Sequence, residues 1–203
     1  MICVSRSRAC LIITIVCLGG AACLRRPVTT PSHMLEPQLQ APATQVSKGP
    51  NAIPVRLLDT QARGHIGRRI LHQQPNGELT EDAIWRWSSA PDRYLDTALR
   101  FEFASSPDVT LIDTGRARTL AATLLVWDIE SAGEGRLVGA VQFEVTWADR
   151  VVHTHVVRIS EPVSVELPGD LAAASGRLLH RLASEGLAFA VSEREVHIPA
   201  PPT

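Results

Sequence analysis

Three long segments in the second half of the chain alternate apolar and polar residues, and they constrain the fold more than any other feature. They cover residues 119–130, 136–148 and 150–163, and the turns between them are short. Successive side chains of a strand point to opposite faces of a sheet, so alternation indicates a strand with one buried face. The pattern therefore predicts an antiparallel meander of three strands.

Two amphipathic helices are predicted, one before this meander and one after it. The first follows Ser89 and Asp92, which have the spacing of a capping box, with Pro91 in the first turn. The second covers about residues 170–190. An apolar stripe at helical spacing runs along it, formed by Leu171, Ala174, Leu178 and Leu182.

Shorter β-type segments complete the pattern. They cover residues 52–58, 67–73, 78–86 and 109–113, and Asn76-Gly77 between the second and third is a strong signal for a hairpin with a two-residue turn. Two helices packed on one face of a sheet would bury both apolar stripes. The prediction is one α+β domain over residues 52–192, with a largely antiparallel β-sheet and two amphipathic helices on one of its faces.

The beginning of the chain has a different composition. All four cysteines lie within the first 23 residues, at Cys3, Cys10, Cys17 and Cys23. A short basic region is followed by an uncharged apolar stretch at residues 9–22, which is shorter than the roughly 20 residues that span a bilayer. This order is typical of a secretory signal peptide over residues 1–22.

Cys23 directly follows Gly20-Ala21-Ala22, and this arrangement resembles a bacterial lipobox. In a lipobox the signal is cut before a cysteine that carries diacylglycerol, which would make Cys23 the lipidated N-terminus. The alternative is ordinary cleavage after Ala22, which would leave a free N-terminal thiol. Leu24, in the position where an aspartate tends to retain lipoproteins at the inner membrane, favours the periplasmic side of the outer membrane over the inner membrane.

The segments that flank the domain are polar and rich in proline. Residues 23–51 contain five prolines and no hydrophobic periodicity, so they are predicted to be a lipidated N-terminus and a disordered tether. Residues 193–203 are predicted to be a disordered tail. Loss of residues 1–22 removes Arg6 and Arg8 and no acid, which changes the net charge from −1 to −3. No basic surplus indicates nucleic-acid binding.

Candidate catalytic and metal-binding residues are few. His153 and His155 lie two residues apart on a predicted strand and could supply two of the ligands that a metal site needs, but the sequence favours solvent-exposed strand histidines over a metal site. The chain has no GxSxG or SxxK motif, and Cys23 is the one cysteine beyond the signal. The expectation is a protein that is not an enzyme and that has no cofactor or metal.

The tryptophans and one arginine are candidates for contacts with a partner. Trp85 and Trp87 share one face of a strand end, and Trp127 and Trp147 lie in the meander. Aromatic residues are enriched at interfaces, but packing in the core or over a sheet edge is the alternative. Arg86 should point away from its two tryptophan neighbours, towards a partner or an acidic residue.

The course of residues 50–192 resembles the ABC-type transport auxiliary lipoprotein family. In that family a first strand and a hairpin lead to an Arg-Trp motif and a helix, and Arg86-Trp87 stand at that point here. The resemblance implies a periplasmic accessory subunit of an MCE-type transporter. Its partners would be an MCE-domain protein, a permease and an ATPase, and a ring-forming homo-oligomer is also compatible with it.

Two functions follow as hypotheses. The first is a lipid-anchored interaction module that helps to move phospholipids or other apolar molecules between the two membranes, with Arg86 and Trp87 as partner-binding residues. The second is a stand-alone carrier or chaperone that shields an acyl chain between the sheet and the helices. A carrier needs an apolar cavity, whereas an interaction module needs a packed core and an exposed apolar or edge-strand patch.

The lipobox predicts the outcome of one substitution. Cys23→Ser should abolish incorporation of labelled palmitate, because the hydroxyl does not replace the thiol that accepts diacylglycerol. The control is Cys17→Ser, which removes a cysteine from the signal and should leave the labelling unchanged. Persistent labelling of the Cys23→Ser variant contradicts the assignment.

Overall fold

The computed structural model of the chain describes residues 33–41, 46–131, 135–146, 152–164 and 167–192. These residues form one nine-stranded sheet and two helices. The strands are β1 (His33–Leu35), β2 (Ile53–Leu57), β3 (Gln61–Ala62), β4 (Arg69–Gln73), β5 (Leu79–Trp87), β6 (Val109–Leu111), β7 (Arg118–Glu130), β8 (Arg136–Thr146) and β9 (Val152–Pro162). The helices are α1 (Pro91–Ser105) and α2 (Pro168–Ser192).

Strand β7 has thirteen residues and pairs along both of its edges. One edge pairs with β8 in antiparallel orientation from Thr119 to Glu130. The other edge pairs in turn with β2, β3 and β4, which are all parallel to it. β6 extends the sheet beyond β2, β5 and β1 extend it beyond β4, and β9 lies outside β8. The meander and the short strands are therefore joined through β7.

A β-bulge between Leu124 and Val126 keeps one face of β7 apolar along the whole strand. Before the bulge, the buried side chains of Leu120, Ala122 and Leu124 share this face. The extra residue in a bulge shifts the alternation by one, so that buried Trp127 continues the same face after it. Without the bulge, the second half of the strand would turn its large apolar side chains towards solvent.

Both helices pack on this apolar face of the sheet, with α2 across β8 and β9 and with α1 beside α2. Two glycines allow the elements to approach closely. A Cβ on Gly139 of β8 would lie 3.0 Å from Leu182 Cδ1 and 3.2 Å from Leu178 Cδ2. A Cβ on Gly186 of α2 would lie 2.8 Å from Phe143 Cε1. The opposite face of the sheet carries no helix among the described residues.

The α+β fold class and the two helices on one face of the sheet are confirmed, and so is the antiparallel meander. The predicted hairpin is also present, with Gly77 at a φ of 83°. Its turn is longer than the two residues predicted, because the backbone N–H of Gln74 donates to the carbonyl of Glu78 at 2.8 Å. The sequence did not reveal β1 or β3, nor that β2, β3 and β4 lie parallel to β7. The predicted tail, Trp147 and Cys23 with its signal lie outside the described residues.

The prediction of a capping box at Ser89 and Asp92 is wrong. Helix α1 begins at Pro91 after the N-cap residue Ala90, and no side chain caps it. The hydroxyl of Tyr94 instead accepts a hydrogen bond from the backbone N–H of Ser89 at 2.8 Å. A residue inside the helix thus holds the preceding turn, while no side chain caps the first N–H groups of the helix.

Residues 33–41, which we call the N-terminal strap, were predicted to be part of the tether but belong to the folded domain. Their first three residues form β1, which pairs with β5, and Leu35 and Pro37 are buried. The backbone N–H of Gln38 donates to the carbonyl of Ala172 in α2 at 3.0 Å. The apolar part of the strap is too short to show a period, so its order depends on tertiary contacts.

Lys48, which follows the strap in the sequence, binds the C-terminal end of α1. Lys48 donates from Nζ to the carbonyls of Ala104 at 2.7 Å and of Ser106 at 2.8 Å. These carbonyls belong to the C-terminal end of α1, where unpaired carbonyl groups and the helix dipole favour a cation. The ammonium group therefore caps α1 from a distant part of the sequence.

The strap depends on a glycine in α2. A Cβ on Gly176 would collide with the carbonyl of Gln38, whereas a Cβ on Gly169 in the same helix would meet nothing within 4 Å. Gly176→Ala should therefore push the strap away from α2 and loosen it. Hydrogen–deuterium exchange of residues 33–41 should become roughly tenfold faster, which corresponds to a loss of about 1.4 kcal/mol in the free energy of opening. Gly169→Ala is the matched control, and equal exchange in the two variants would contradict the role of Gly176.

Candidate partner surface

Strand β5 ends in the Arg86-Trp87 pair, and its alternation separates the two side chains. Trp85 and Trp87 point to the core face, where the ring centroids of Trp85 and His33 lie 5.0 Å apart. Arg86 points to the opposite face and is exposed. The expectation that Arg86 points away from the tryptophans is met by this strand geometry.

Trp87 is a core residue. Its side chain is 1% exposed, and its ring packs edge-on against Trp127 with the centroids 6.1 Å apart and the ring planes at 63°. Such tilted pairs are favourable arrangements of aromatic rings. The structure therefore supports core packing for both tryptophans, and the side chain of Trp87 offers no surface to a partner in this conformation.

Arg86 lies in a small exposed patch on the helix-free face of the sheet. Its neighbours on adjacent strands are Met34 in β1 and Arg69 in β4. Met34 is 53% exposed and Ile84, two residues before Arg86 on the same face, is 49% exposed. Arg68 completes the set, since its Nη2 lies 3.5 Å from Met34 Sδ. We call Met34, Arg68, Ile84 and Arg86 the outer patch.

The positive charge of Arg86 is not compensated within the described residues. Neighbouring Arg69 forms an ion pair with Glu81, and Arg68 donates from Nε to the carbonyl of Trp87 at 3.2 Å. Arg86 itself has no hydrogen bond or ion pair within the described part of the chain. A guanidinium group that has no partner within the described residues and lies beside exposed apolar side chains has the composition of a protein-contact surface.

The carboxylate of Asp82 fixes the backbone immediately before Arg86 and Trp87. Asp82 accepts from the backbone N–H groups of Ile84 and Trp85 through Oδ1, both at 2.8 Å, while Oδ2 lies 3.1 Å from His72 Nε2. Burial raises the pKa of Asp82, but the two N–H donors and His72 outweigh it, so the pKa is lowered. Asp82 thus remains charged and holds the strand end that presents Arg86.

Large side chains of both layers are buried between the sheet and the helices. Leu178 and Leu182 of α2 are fully buried there, and so is Phe143 of β8. The described residues do line a groove of about 540 Å³, but it lies on the outer side of the helices, between α1, α2 and the strap. Its walls include Leu39, Phe101, Ala98, Ala173, Gly176, Arg177 and His180.

One buried carboxylate links the meander to α2. Glu161 of β9 accepts from Arg181 Nη1 at 2.6 Å and from Arg177 Nε at 3.1 Å. Burial raises the pKa of Glu161, but the two guanidinium groups outweigh burial and lower it. The two arginines are one helical turn apart, and this spacing lets both reach the same carboxylate.

The two strand histidines share a face, as the spacing predicted. His155 stacks on Phe189 of α2 with the ring centroids 5.2 Å apart, and His153 also has an interaction partner. Within the described ranges, no group of three or more His, Cys, Asp or Glu residues is placed to hold a metal ion. No helix in those ranges is long and apolar enough to cross a membrane.

Sequence reasoning missed the contacts that hold the strap and α2. Gly176 and Gly186 interrupt a helical pattern, and an isolated helical glycine often marks a close approach. The i,i+4 pair Arg177 and Arg181 was also visible, although its acidic partner was not. The outer patch had one sequence signal, Arg86, while Met34 joins it only through the parallel pairing of β1 and β5.

Comparison with known proteins shows the fold. No family model and no curated protein matches the chain. A solved Xanthomonas campestris protein of the DUF330 family model superposes with a TM-score of 0.64 at 16% identity, covering 79% of this chain and 95% of that chain. A solved structure described as an uncharacterized protein gives a TM-score of 0.59 at 12% identity and covers 81% of this chain and 100% of its own. These two proteins share the fold described above.

The pair of arginines on Glu161 predicts a pH-dependent contribution to stability. The folded-state pKa of Glu161 lies below its unfolded value, so the stabilisation is present above the unfolded pKa and is lost as the pH falls through the folded pKa. Glu161→Gln should lower the free energy of unfolding at pH 7 by about 1–2 kcal/mol, since both arginines remain half exposed. Thermal unfolding should show this loss shrinking towards pH 3.

The matched control is Glu130→Gln. Glu130 accepts from Arg158 Nη2 at 2.7 Å on the open face of the sheet, where an ion pair contributes about 0–1 kcal/mol. A pH-independent effect of Glu161→Gln would contradict the assigned role of the carboxylate.

Proposed function

We propose that this chain is a lipid-anchored accessory subunit of an MCE-type ABC transporter. It acts on the periplasmic side of the outer membrane and helps to move phospholipids or other apolar molecules between the inner and outer membranes. Its partners are the MCE-domain protein, the permease and the ATPase of the same system. It works through protein contacts and not through catalysis.

The observation that carries the proposal is the outer patch. It places the uncompensated guanidinium of Arg86 beside exposed Met34 and Ile84, at the position of the Arg-Trp motif in the family that the sequence resembles. Arg86 reaches a partner directly, whereas Trp87 supports it from the core through Trp127. We therefore assign partner binding to Arg86 alone, and Trp87 is the residue that positions the end of the strand.

The packing of the domain supports an interaction module over a carrier that encloses its ligand. The space between the sheet and the helices is occupied by buried leucine and phenylalanine side chains. A stand-alone lipid carrier is the second candidate, and the groove between α1, α2 and the strap favours it. That groove has the volume of a small-ligand site, and Phe101 and Leu39 give it apolar walls.

Cross-linking in cells separates the two candidates. The full-length chain is expressed beside the transporter genes of its own genome, cross-linked mildly and purified under denaturing conditions. Recovery of the MCE-domain protein supports the accessory role. Recovery of the chain alone, with phospholipid bound, contradicts that role and favours the carrier.

The contribution of Arg86 is tested in the same experiment. Arg86→Glu should reduce the cross-linked MCE-domain protein at least fivefold, because it places a negative charge in the contact. The matched control is Arg116→Glu, an exposed loop residue away from the outer patch. Equal yields from the two variants would remove Arg86 from the interface.

A further inference from the structure

The outer edge of β9 is the longest strand edge that has no partner among the described residues. β9 pairs with β8 over eleven consecutive residues, from Val152–Thr146 to Pro162–Arg136, without a register shift. No described strand pairs with its other edge. The other open edges among the described strands are shorter: β1 and β6 have three residues each, β3 has two, and β1 leaves residues 79–84 of β5 uncovered. A long and regular edge exposes a row of backbone donors and acceptors to any further strand.

The usual protection of an edge strand is missing from β9. It has no proline before Pro162 and no bulge, and it contains no lysine. Its two charged side chains are turned away from the edge. Arg158 reaches across β8 to Glu130 of β7 at 2.7 Å, and Glu161 is held by α2.

Two valines lie exposed on the same face of β9. Val152 is 54% exposed and Val156 is 55% exposed. They are four residues apart in the strand, so both lie on the helix-free face. Soluble proteins normally place a charge at such positions of an edge strand to prevent pairing. An edge whose backbone groups pair with no described strand, and which lies beside two exposed valines, is suited to a second β-strand.

We propose that β9 pairs with β9 of a second copy of this chain, antiparallel and about a two-fold axis at Val156. This arrangement sets Val156 opposite Val156 of the second copy, and Thr154 opposite Arg158 of the second copy. Val152 then faces Ser160 of the second copy. No like charges lie opposite each other, which is the condition that self-pairing must meet.

A second copy of this chain is the partner because the strand is complementary to itself in this register. The register joins residues 152–160 of both copies along about 30 Å of strand, at roughly 3.4 Å per residue. A contact of one strand edge is smaller than the roughly 1,200 Å² of a stable interface, so the dimer should be reversible at micromolar concentration. The pairing does not depend on the proposed transport role.

The first test measures the mass in solution of a chain that begins at Leu24. This chain keeps every described residue and contains no cysteine. Sedimentation equilibrium should show a monomer and a dimer in exchange. Val156→Lys places two like charges at the axis and should weaken dimerisation at least tenfold. The matched control Ile84→Lys changes an equally exposed residue of the same sheet face and should leave the dimer intact.

The second test reports the register without destabilising the dimer. Val156→Cys should form a disulfide-linked dimer under mild oxidation, because residues at a two-fold axis of paired strands lie within disulfide reach. Thr154→Cys alone should react slowly, and Thr154→Cys with Arg158→Cys should react rapidly. Ile84→Cys is the control for random collision.

A chain that stays monomeric at every concentration overturns the proposal and leaves the edge to a strand of another protein. A dimer or a larger ring that Val156→Lys leaves intact also overturns it. So does equally fast cross-linking of the Val156→Cys and Ile84→Cys variants.

Discussion

The two edges of β7 determine the architecture of this domain. A strand usually has one neighbour on each side, but β7 is long enough to pair with β8 on one side and with β2, β3 and β4 in succession on the other. The bulge after Leu124 keeps its apolar side chains on the helix-covered face throughout. Removing this continuity would separate the meander from the strands that carry Arg86.

Close backbone approach at glycines then determines how the layers fit. Gly139 makes room for Leu178 and Leu182, and Gly186 makes room for Phe143, so α2 sits deep on the sheet. Gly176 does the same on the outer side of α2, where the strap crosses. Because Gln38 and Lys48 are bound to the two helices, the chain between an anchored N-terminus and the sheet would leave the domain at His33 and not at residue 52.

The exposed features lie on the face and edge that the helices leave uncovered. Arg86 with Met34 and Ile84 occupies one end of the helix-free face, and Val152 and Val156 lie beside its longest edge. The two sites are on different strands, so a copy bound at β9 and a partner bound at the outer patch need not exclude each other. The proposed accessory role could therefore use both surfaces at once.

The sequence by itself determined the elements whose signal is local. Alternation over residues 119–163 predicted the meander, helical stripes predicted α1 and α2, and Asn76-Gly77 predicted a hairpin. The period of two along β5 was likewise enough to set Arg86 and Trp87 on opposite faces. Only the tertiary structure decided the parallel pairing of β2, β3 and β4 on β7, the order of the strap, and the meeting of Met34 with Arg86. These contacts join residues that are far apart in the chain, and the segments that make them are too short to show a period. The local sequence therefore does not indicate which strands are neighbours.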